Sequence, residues 1–295
     1  MATSAGFPMT ETMPMNAAEA WSIFWAEQGH SSRCLALSPD ICDRLDSFWH
    51  GFASRLSRQT RVIDLGCGSG AVGRALRSAA PGLQVTGVDV ARIAPSSQPG
   101  LELIANVAME SLPFDDAAFG AAVSQFGFEY AAAPDAAAKE VARVVAPGGS
   151  LAFLVHHDAG PIIAAMRRHR RAIEGLCGAE MQAAFLAGDA GALSARIAVL
   201  KRECDNDSLV DAAGRGLQAQ VANDRAGRAR VWDAVVQALT PELAMLKSLD
   251  LSTSGGRTIE AVAEPLAGAF DVQPPKPLRT AEGEPIAWIV EGSRL

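Results

Sequence analysis

Residues 61–70 read RVIDLGCGSG, and this stretch decides the fold of the chain. Its first five residues form a short apolar run that is typical of a buried parallel strand. Glycines then alternate at Gly66, Gly68 and Gly70, and glycine permits positive φ angles and lets a backbone approach a ligand closely. A helix is predicted directly after the turn, so its amide dipoles would point into it. The stretch therefore predicts a ligand site between a strand and a helix.

The sequence on either side predicts a doubly wound, Rossmann-like α/β sheet of about seven strands. Short apolar runs alternate there with helical patterns. The predicted strands are Arg61–Leu65, Gln84–Asp89, Leu101–Ala105, Ala121–Ser124, Ser150–His156, Ala269–Val272 and Pro285–Glu291.

Helical patterns also lie outside this alternation. Residues 1–58 are predicted to form an N-terminal helical lid segment, and residues 59–295 a single domain. Within that domain, about residues 160–250 are rich in Ala, Arg and Leu, and we expect them to be a helical insertion that caps the carboxyl ends of the strands.

Composition excludes several classes of protein. Hydrophobic residues make up 49% of the chain and charged residues 20%, which is enough to bury a large core. The formal net charge of -7 argues against a nucleic-acid partner, because binding to a phosphate backbone needs a surplus of cations. Five scattered cysteines indicate neither a disulfide framework nor a metal site. No apolar run is long enough to span a bilayer, so we expect a cytoplasmic protein.

An acidic residue follows the glycine turn at the spacing of an adenosyl-binding site. Asp89 ends the second predicted strand, nineteen residues after Gly70, where it can accept hydrogen bonds from both ribose hydroxyls. Residues 68–73, GSGAVG, also fit the dinucleotide fingerprint, so an NAD(P)-dependent oxidoreductase stays open. Asp64 favours another ligand, because its carboxylate would repel a pyrophosphate and attract a cationic amine.

Four segments in order resemble the class I S-adenosylmethionine-dependent methyltransferases, specifically the small-molecule group with a Leu-Pro-Phe segment. DLGCGSG at residues 64–70 is similar to the first motif, and VTGVD at 85–89 to the second. MESLPFDDAAF at 109–119 is similar to the third region, and EVARVVAPGG at 140–149 to the helix and turn before the fifth strand. The resemblance covers about residues 60–157 and implies S-adenosylmethionine as the cofactor.

The resemblance also implies a cofactor site. Asp64 would orient the amino group, Asp89 would bind the ribose, and the segment from Ala108 to Glu110 would cover the adenine. The full implied set is Asp64, Gly66, Cys67, Gly68, Gly70, Asp89, Val90, Ala108, Met109, Glu110, Ser124 and Gln125. The family usually has an aspartate at the position of Ala108, so either the adenine contact is weaker here or Glu110 takes it over.

Candidate bases follow the fourth and fifth predicted strands. They are Glu129 and Tyr130 after the fourth strand, and His156 and His157 at the end of the fifth. Side chains alternate along a strand, so only one of the two histidines can face a pocket. Each histidine also fits a purely structural, hydrogen-bonded role.

Aromatic residues near the N-terminus are candidates for a lid over the acceptor, although plain core packing is the alternative. They are Trp21, Phe24, Trp25 and Trp49, with His30 and Arg33 as possible substrate contacts. The basic run at residues 167–171 lies on a helix with an apolar stripe and is interpreted as its solvated face.

The sequence thus predicts methyl transfer from S-adenosylmethionine to a small-molecule acceptor, at O or N. Two alternatives stay open, namely an NAD(P)-dependent oxidoreductase and a non-catalytic cofactor-binding protein of the same fold.

Overall fold

The computed structural model describes residues 16–28, 37–254 and 259–295. Within these ranges eight strands form one sheet in the order β3-β2-β1-β4-β5-β8-β6, with β7 also paired to β8. The strands are β1 (Arg61–Leu65), β2 (Gln84–Asp89), β3 (Leu101–Ala105), β4 (Phe119–Gln125), β5 (Val145–His156), β6 (Phe270–Val272), β7 (Lys276–Arg279) and β8 (Pro285–Arg294).

Helices cover both faces of this sheet. They are α1 (Ala17–Gln28), α2 (Pro39–Arg55), α3 (Ala71–Ala79), α4 (Pro134–Val144), α5 (Pro161–Leu176), α6 (Ala179–Ala187), α7 (Ala190–Glu203), α8 (Ser208–Gln220), α9 (Arg225–Ser254) and α10 (Ile259–Ala267), with a short 3₁₀ turn at Phe128–Tyr130. In the described part of the chain, no helix combines the length and the apolar character needed to cross a membrane.

The strand directions create a crevice at one edge of the sheet. β1 pairs in parallel with both β2 and β4, so the chain winds outward in opposite directions from β1 and β4. β3 and β5 extend the parallel part on its two sides, and β8 runs antiparallel to β5. The carboxyl ends of β1 and β4 form a topological switch point, which is where ligands bind in open α/β sheets.

This architecture confirms the predicted doubly wound fold, although β4, β6 and β8 differ from their predicted ranges by up to three residues at an end, and β5 and β7 differ more. The short strand β7 was not predicted, because Pro275 and Pro277 mark its sequence as a poor strand. Proline is tolerated there because β7 pairs only with β8 among the described strands. β5 begins at Val145 and not at Ser150, so the Gly148 turn lies within the strand.

The burial pattern along the strands explains the two layers of helices. On β5, Ala152 and Leu154 join the hydrophobic cluster shared with α2, α3 and the helices α5 to α9. The alternate residues Phe153 and Val155 join the opposite cluster, which includes side chains of α4 and α10. A strand buried on both faces needs such a continuous apolar run, and its period of two assigns the side chains to the two layers.

The two N-terminal helices have different roles in the structure. On α2, Leu45 and Trp49 are each 1% exposed and belong to the core beside the sheet. Helix α1 packs mainly against α9, which belongs to the helical region between β5 and α10. The predicted lid segment at residues 1–58 therefore contains one core helix, and α1 is the part that lies over the crevice.

Candidate active site

A cavity of about 340 Å³ lies at the carboxyl ends of β1 to β5. Its volume is in the ordinary range for small-molecule pockets. Side chains of α1 and α5 line it on one side, and residues that follow the five strands line the rest. The residues that line it and enter the argument below are Trp21, Trp25, Asp64, Gly66, Cys67, Asp89, Val90, Ala108, Met109, Glu110, Gln125, Phe126, Tyr130, His156, Ile162 and Met166.

The glycine turn between β1 and α3 contributes to the lining of the cavity. Gly66, Gly68 and Gly70 have φ angles of 66°, 49° and 82°, a region that strongly favours glycine. Gly66 and Cys67 line the cavity, but Gly68 and Gly70 do not. Gly68 lies beneath the indole of Trp25, and Gly70 packs against the side chain of Leu103. Gly68 and Gly70 therefore shape the turn from behind the cavity surface, and their contact with the cofactor stays a prediction.

Asp64 is a buried carboxylate that faces the cavity. It is 1% exposed, and neither carboxylate oxygen has a hydrogen-bond partner among the described residues. Burial, reinforced by the nearby charge of Asp89, raises the pKa of Asp64 to about 8, against the weaker opposing effects of the Gly73 amide and Arg74. A cationic hydrogen-bond donor in the cavity would favour the ionised form of this buried group.

Asp89 closes the turn from the end of β2. Its Oδ2 accepts the amide proton of Gly68 at 2.8 Å, and its Oδ1 accepts that of Ala91 at 2.9 Å. Burial raises the pKa of Asp89, and these two amides oppose the shift. Each oxygen keeps a free lone pair, so the carboxylate can also accept hydrogen bonds from vicinal hydroxyls in the cavity. Val90, the next residue, is 49% exposed and offers an apolar surface at the same place.

The segment from Ala108 to Glu110 forms the far wall. The residues that follow this segment are held by α4: Glu140 accepts the amide proton of Leu112 at 2.7 Å, and Arg143 donates to the carbonyl oxygens of Leu112 and Phe114. The hydrogen bond from Arg143 is the main reason why the pKa of Glu140 is lowered. The third sequence region and the fourth therefore form one scaffold behind the wall.

The side chain of Glu110 reaches across the loop to Ala133. Its Oε1 accepts the Ala133 amide proton at 3.2 Å, while the residue also lines the cavity. Glu110 can thus present its second oxygen to a ligand where Ala108 offers only a methyl group.

The end of β4 carries an amide of fixed orientation. The indole N–H of Trp49 donates to Oε1 of Gln125 at 2.7 Å. The indole nitrogen is only a donor, so this bond assigns the oxygen of Gln125 to Trp49 and leaves the NH₂ group for the cavity. Ser124, the other predicted cofactor residue at this strand end, is not among the residues that line the cavity, and its hydroxyl donates to the Leu65 carbonyl and accepts the Phe128 amide proton.

Glu129 and His156 form a buried pair at the opposite wall. Nδ1 of His156 hydrogen-bonds to Oε1 of Glu129, and the backbone amide of His156 donates to Oε2 of Glu129 at 3.1 Å. The two residues are 4% and 6% exposed, and His156 lines the cavity whereas Glu129 lies behind it. The sequence predicted both as separate candidate bases, and the fold brings them together as one unit.

The other two candidate bases lie in different surroundings. His157 points away from the cavity and stacks on Trp288 with ring centroids 4.5 Å apart, so the two histidines face opposite sides. Tyr130 lines the cavity, and its ring meets Trp21 edge-on at 5.5 Å. Its hydroxyl oxygen is buried.

α1 closes the cavity with two tryptophans. Trp21 and Trp25 line it, and their rings stack with centroids 6.2 Å apart. Phe24 and Trp49, which the sequence groups with them, pack behind the wall in the core. α1 is also tied to the loop after β2, where the Arg92 amide donates to the Ser22 hydroxyl at 2.9 Å. The suggested contacts from His30 and Arg33 lie outside the described residues.

Comparison with known proteins places the same stretch in one family. Residues 63–153 match the family model described as a methyltransferase domain. They carry the glycine turn, the Asp89 carboxylate and the Leu-Pro-Phe scaffold in the order described above. Residues 63–153 thus resemble a methyltransferase domain, and the match covers less than half of the chain.

Curated proteins that are similar to part of this chain have different acceptors in their names. A demethylmenaquinone methyltransferase from Thermus thermophilus is 35% identical over 39% of this chain and 59% of its own length. A malonyl-[acyl-carrier protein] O-methyltransferase from Pseudescherichia vulneris is 37% identical over 32% of this chain and 39% of its own length. Both matches thus cover less than two thirds of the relative.

Among solved structures, a SAM-dependent methyltransferase from Methanosarcina mazei is 18% identical, with a TM-score of 0.39 over 88% of this chain and 99% of that one.

The residues that line the cavity fit S-adenosylmethionine, the cofactor that the resemblance implies, at three points. The partnerless carboxylate of Asp64 suits the ammonium group, Asp89 suits the ribose hydroxyls, and the NH₂ of Gln125 suits the carboxylate. These three groups match the charged and polar parts of the cofactor. The described residues that line the cavity include no lysine or arginine.

One feature of the site was not predicted from the sequence. Phe126 has a φ angle of 56°, which is strained for an aromatic residue, and its amide donates to the Leu154 carbonyl at 2.8 Å. Its ring lies flat on His156 with centroids 4.0 Å apart. The adjacent Gly127 is the one sequence signal of the tight turn, because a Cβ there would come within 2.6 Å of the Leu65 carbonyl oxygen.

The basic run on α5 is engaged within the helical region. His169 lies between Asp207 and Glu242, at 3.0 Å from a carboxylate oxygen of each. The hydrogen bond to Glu242, together with that to Asp207, raises the pKa of His169 to about 9. Nε of Arg168 lies 3.8 Å from a carboxylate oxygen of Asp205, and Nε of Arg170 lies 3.7 Å from a carboxylate oxygen of Glu174 on the same helix. The run therefore joins α5 to α8 and α9 as well as facing solvent.

Proposed function

We propose that this protein transfers the methyl group of S-adenosylmethionine to a small-molecule acceptor, at O or N, with His156 as the general base. The observation that carries the proposal is that two unlike features face one cavity. Asp64 offers a partnerless carboxylate on one side, and the Glu129–His156 pair lies on the other. The first suits a cationic cofactor, and the second suits an acceptor that must lose a proton.

The cofactor supplies an activated methyl group on a sulfonium ion, so methyl transfer needs mainly alignment and exclusion of water. Asp64 and Asp89 would fix the cofactor at its two ends. Trp21 and Trp25 would exclude water on the side of α1, since both line the cavity and their rings stack on each other. These residues bind and orient, and none of them needs to react.

His156 is suited to receive the acceptor's proton. Its Nδ1 is engaged by Glu129, which leaves Nε2 as the ring nitrogen for a ligand. Glu129 lies behind the wall and is a positioning residue: it holds the ring orientation and tautomer and stabilises the imidazolium that forms. Glu129 also accepts the backbone amide of His156, so the pair is anchored at two points.

The two alternatives from the sequence receive less support. A nicotinamide cofactor would bring its pyrophosphate near the turn, where the carboxylates of Asp64 and Asp89 lie close together. The chain contains one tyrosine, Tyr130, and it is not followed by the lysine of a Tyr-x-x-x-Lys pair. A non-catalytic binding protein would have no need for a buried Glu129–His156 pair at the ligand wall.

Calorimetric titration with S-adenosylmethionine, S-adenosylhomocysteine, NAD and NADP tests the cofactor. We expect both adenosyl compounds to bind, and Asp89→Ala to abolish this binding because the ribose hydroxyls lose their acceptor. Asp233→Ala on the exposed face of α9 is the matched control and should bind as the unaltered protein does. Binding of a nicotinamide cofactor alone, or of none of the four, would overturn the proposal.

A further inference from the structure

Two stacked pairs of flat rings line the cavity. On α1, Trp21 and Trp25 stack with an interplanar angle of 22°. After β4, Phe126 stacks on His156 at 16°. Tyr130 also lines the cavity and stands almost perpendicular to Trp21, at 81°. Stacked rings of this kind favour planar aromatic ligands, since offset stacking adds to the burial of apolar area.

The strain at Phe126 supports the same interpretation. A left-handed φ angle at an aromatic residue costs of the order of 1–3 kcal/mol and persists where the surroundings enforce it. Here the conformation brings the phenyl ring flat against the imidazole of His156. The result is a continuous aromatic wall that includes the candidate base.

The lining of the cavity offers no counter-ion to an anionic acceptor. None of its described lining residues is lysine or arginine. Beyond the aromatic rings, α5 contributes the apolar side chains of Ile162 and Met166. A carboxylate or phosphate on the acceptor would enter this space without a cationic partner, which is costly in a largely apolar site.

We infer that the acceptor is a planar aromatic molecule with a ring hydroxyl and without a carboxylate or phosphate on the part that enters the cavity. This inference rests on the proposed function. The hydroxyl proton moves to Nε2 of His156 while the oxygen forms a bond to the methyl carbon. The C–S bond breaks, and its electron pair stays on sulfur as neutral S-adenosylhomocysteine. The positive charge lost from sulfur is thereby retained as imidazolium, so atoms and charge balance.

Calorimetric titration of the S-adenosylhomocysteine complex with three probes tests the inference without turnover. 2-Naphthol is planar and neutral, decahydro-2-naphthol has the hydroxyl on a saturated frame, and 2-naphthoic acid is planar but anionic. We expect 2-naphthol to bind at least tenfold more tightly than either of the others. Equal or tighter binding of the saturated alcohol would overturn the aromatic part of the inference, and tighter binding of the acid would overturn the charge part.

Phe126→Leu is the informative variant, because it keeps an apolar side chain and removes the flat ring. It should weaken 2-naphthol binding about tenfold and leave S-adenosylhomocysteine binding within a factor of two. Trp288→Leu, at a stacked ring outside the cavity, is the matched control and should change neither. Failure of S-adenosylhomocysteine to bind the unaltered protein would refute the proposed function, whereas normal cofactor binding without selection among the probes would refute only the acceptor class.

Discussion

Trp25 on α1 lies directly over Gly68 in the glycine turn, so closely that a Cβ on Gly68 would overlap the indole ring. This contact joins the helix that closes the cavity to the glycine turn that contributes to its lining. Gly68 has a positive φ angle as well, so the position is restricted twice, by its backbone and by the ring above it.

The substitution Gly68→Ala should therefore destabilise the protein by about 1–3 kcal/mol, measured by urea unfolding. Part of that cost comes from the clash, so it should shrink when Trp25 is also replaced by alanine. A double-mutant cycle measures the coupling between the two positions. Strictly additive effects would show that the indole does not restrict the turn in solution.

Asp64 should release a proton when the cofactor binds. Its pKa is raised to about 8, so at pH 7 it is mostly protonated, and a cationic amine beside it would favour the carboxylate. Titration of S-adenosylhomocysteine in buffers of different ionisation enthalpy should reveal the release of up to about one proton per ligand. Asp64→Asn should bind more weakly and release none. Equal proton release by the variant would assign the proton to another group.

Asp64 should also lower the free energy of unfolding at neutral pH when no cofactor is bound. A raised folded-state pKa means that Asp64 favours folding most below its ordinary pKa of about 4 and loses this contribution as the pH rises towards 8. Asp64→Asn removes the buried charge and should raise the free energy of unfolding at pH 8 by a few kcal/mol, an order-of-magnitude figure. A variant less stable than the original at pH 8 would contradict this.

Substitutions in the Glu129–His156 pair should lower kcat without changing the binding of the cofactor. His156→Asn removes the base and should reduce kcat by about 10²–10⁴-fold at pH 7. Glu129→Gln keeps a hydrogen-bonding group of the same size and should reduce kcat less, with KM for the cofactor unchanged in both variants. If Glu129 were only structural, Glu129→Gln would lower thermal stability and leave the dependence of kcat on pH unaltered.

Because His169 loses its proton at high pH, the helical region should become less stable in alkaline solution. Its pKa is raised from 6.5 to about 9 by hydrogen bonds to Glu242 and Asp207. The stabilisation is fully present below pH 6.5 and is lost as the pH rises through about 9. Hydrogen exchange on α5, α8 and α9 should accelerate over that interval, and His169→Gln should remove the dependence. An unchanged pH profile in the variant would place the titrating group elsewhere.

Local sequence determined the elements that carry the cofactor residues. The run before Gly66 is apolar, and the positions of Asp64 and Asp89 at strand ends follow from strand length and turn chemistry. Parallel strands meet with their carboxyl ends at one edge, so these residues had to converge. The same rule brought the ends of β4 and β5 to the cavity.

The roles of neighbouring side chains were decided by tertiary packing. Ser124 and Gln125 are adjacent in the chain, yet the first is bonded to the Leu65 carbonyl inside the core and the second faces the cavity. Glu129 and His156 were separate candidates until the ends of β4 and β5 placed them within one hydrogen bond. Such pairings depend on side-chain direction and on contacts between distant segments, which periodicity does not encode.

The sequence by itself determined the sheet, the glycine turn and the acidic residues of the cofactor site, because these depend on local backbone preference and hydrophobic period. Only the tertiary structure decided that α2 belongs to the core while α1 closes the cavity, and that Phe126 supports His156. Helices of similar aromatic content bury different faces according to the surfaces that remain uncovered, and that is a property of the assembled fold.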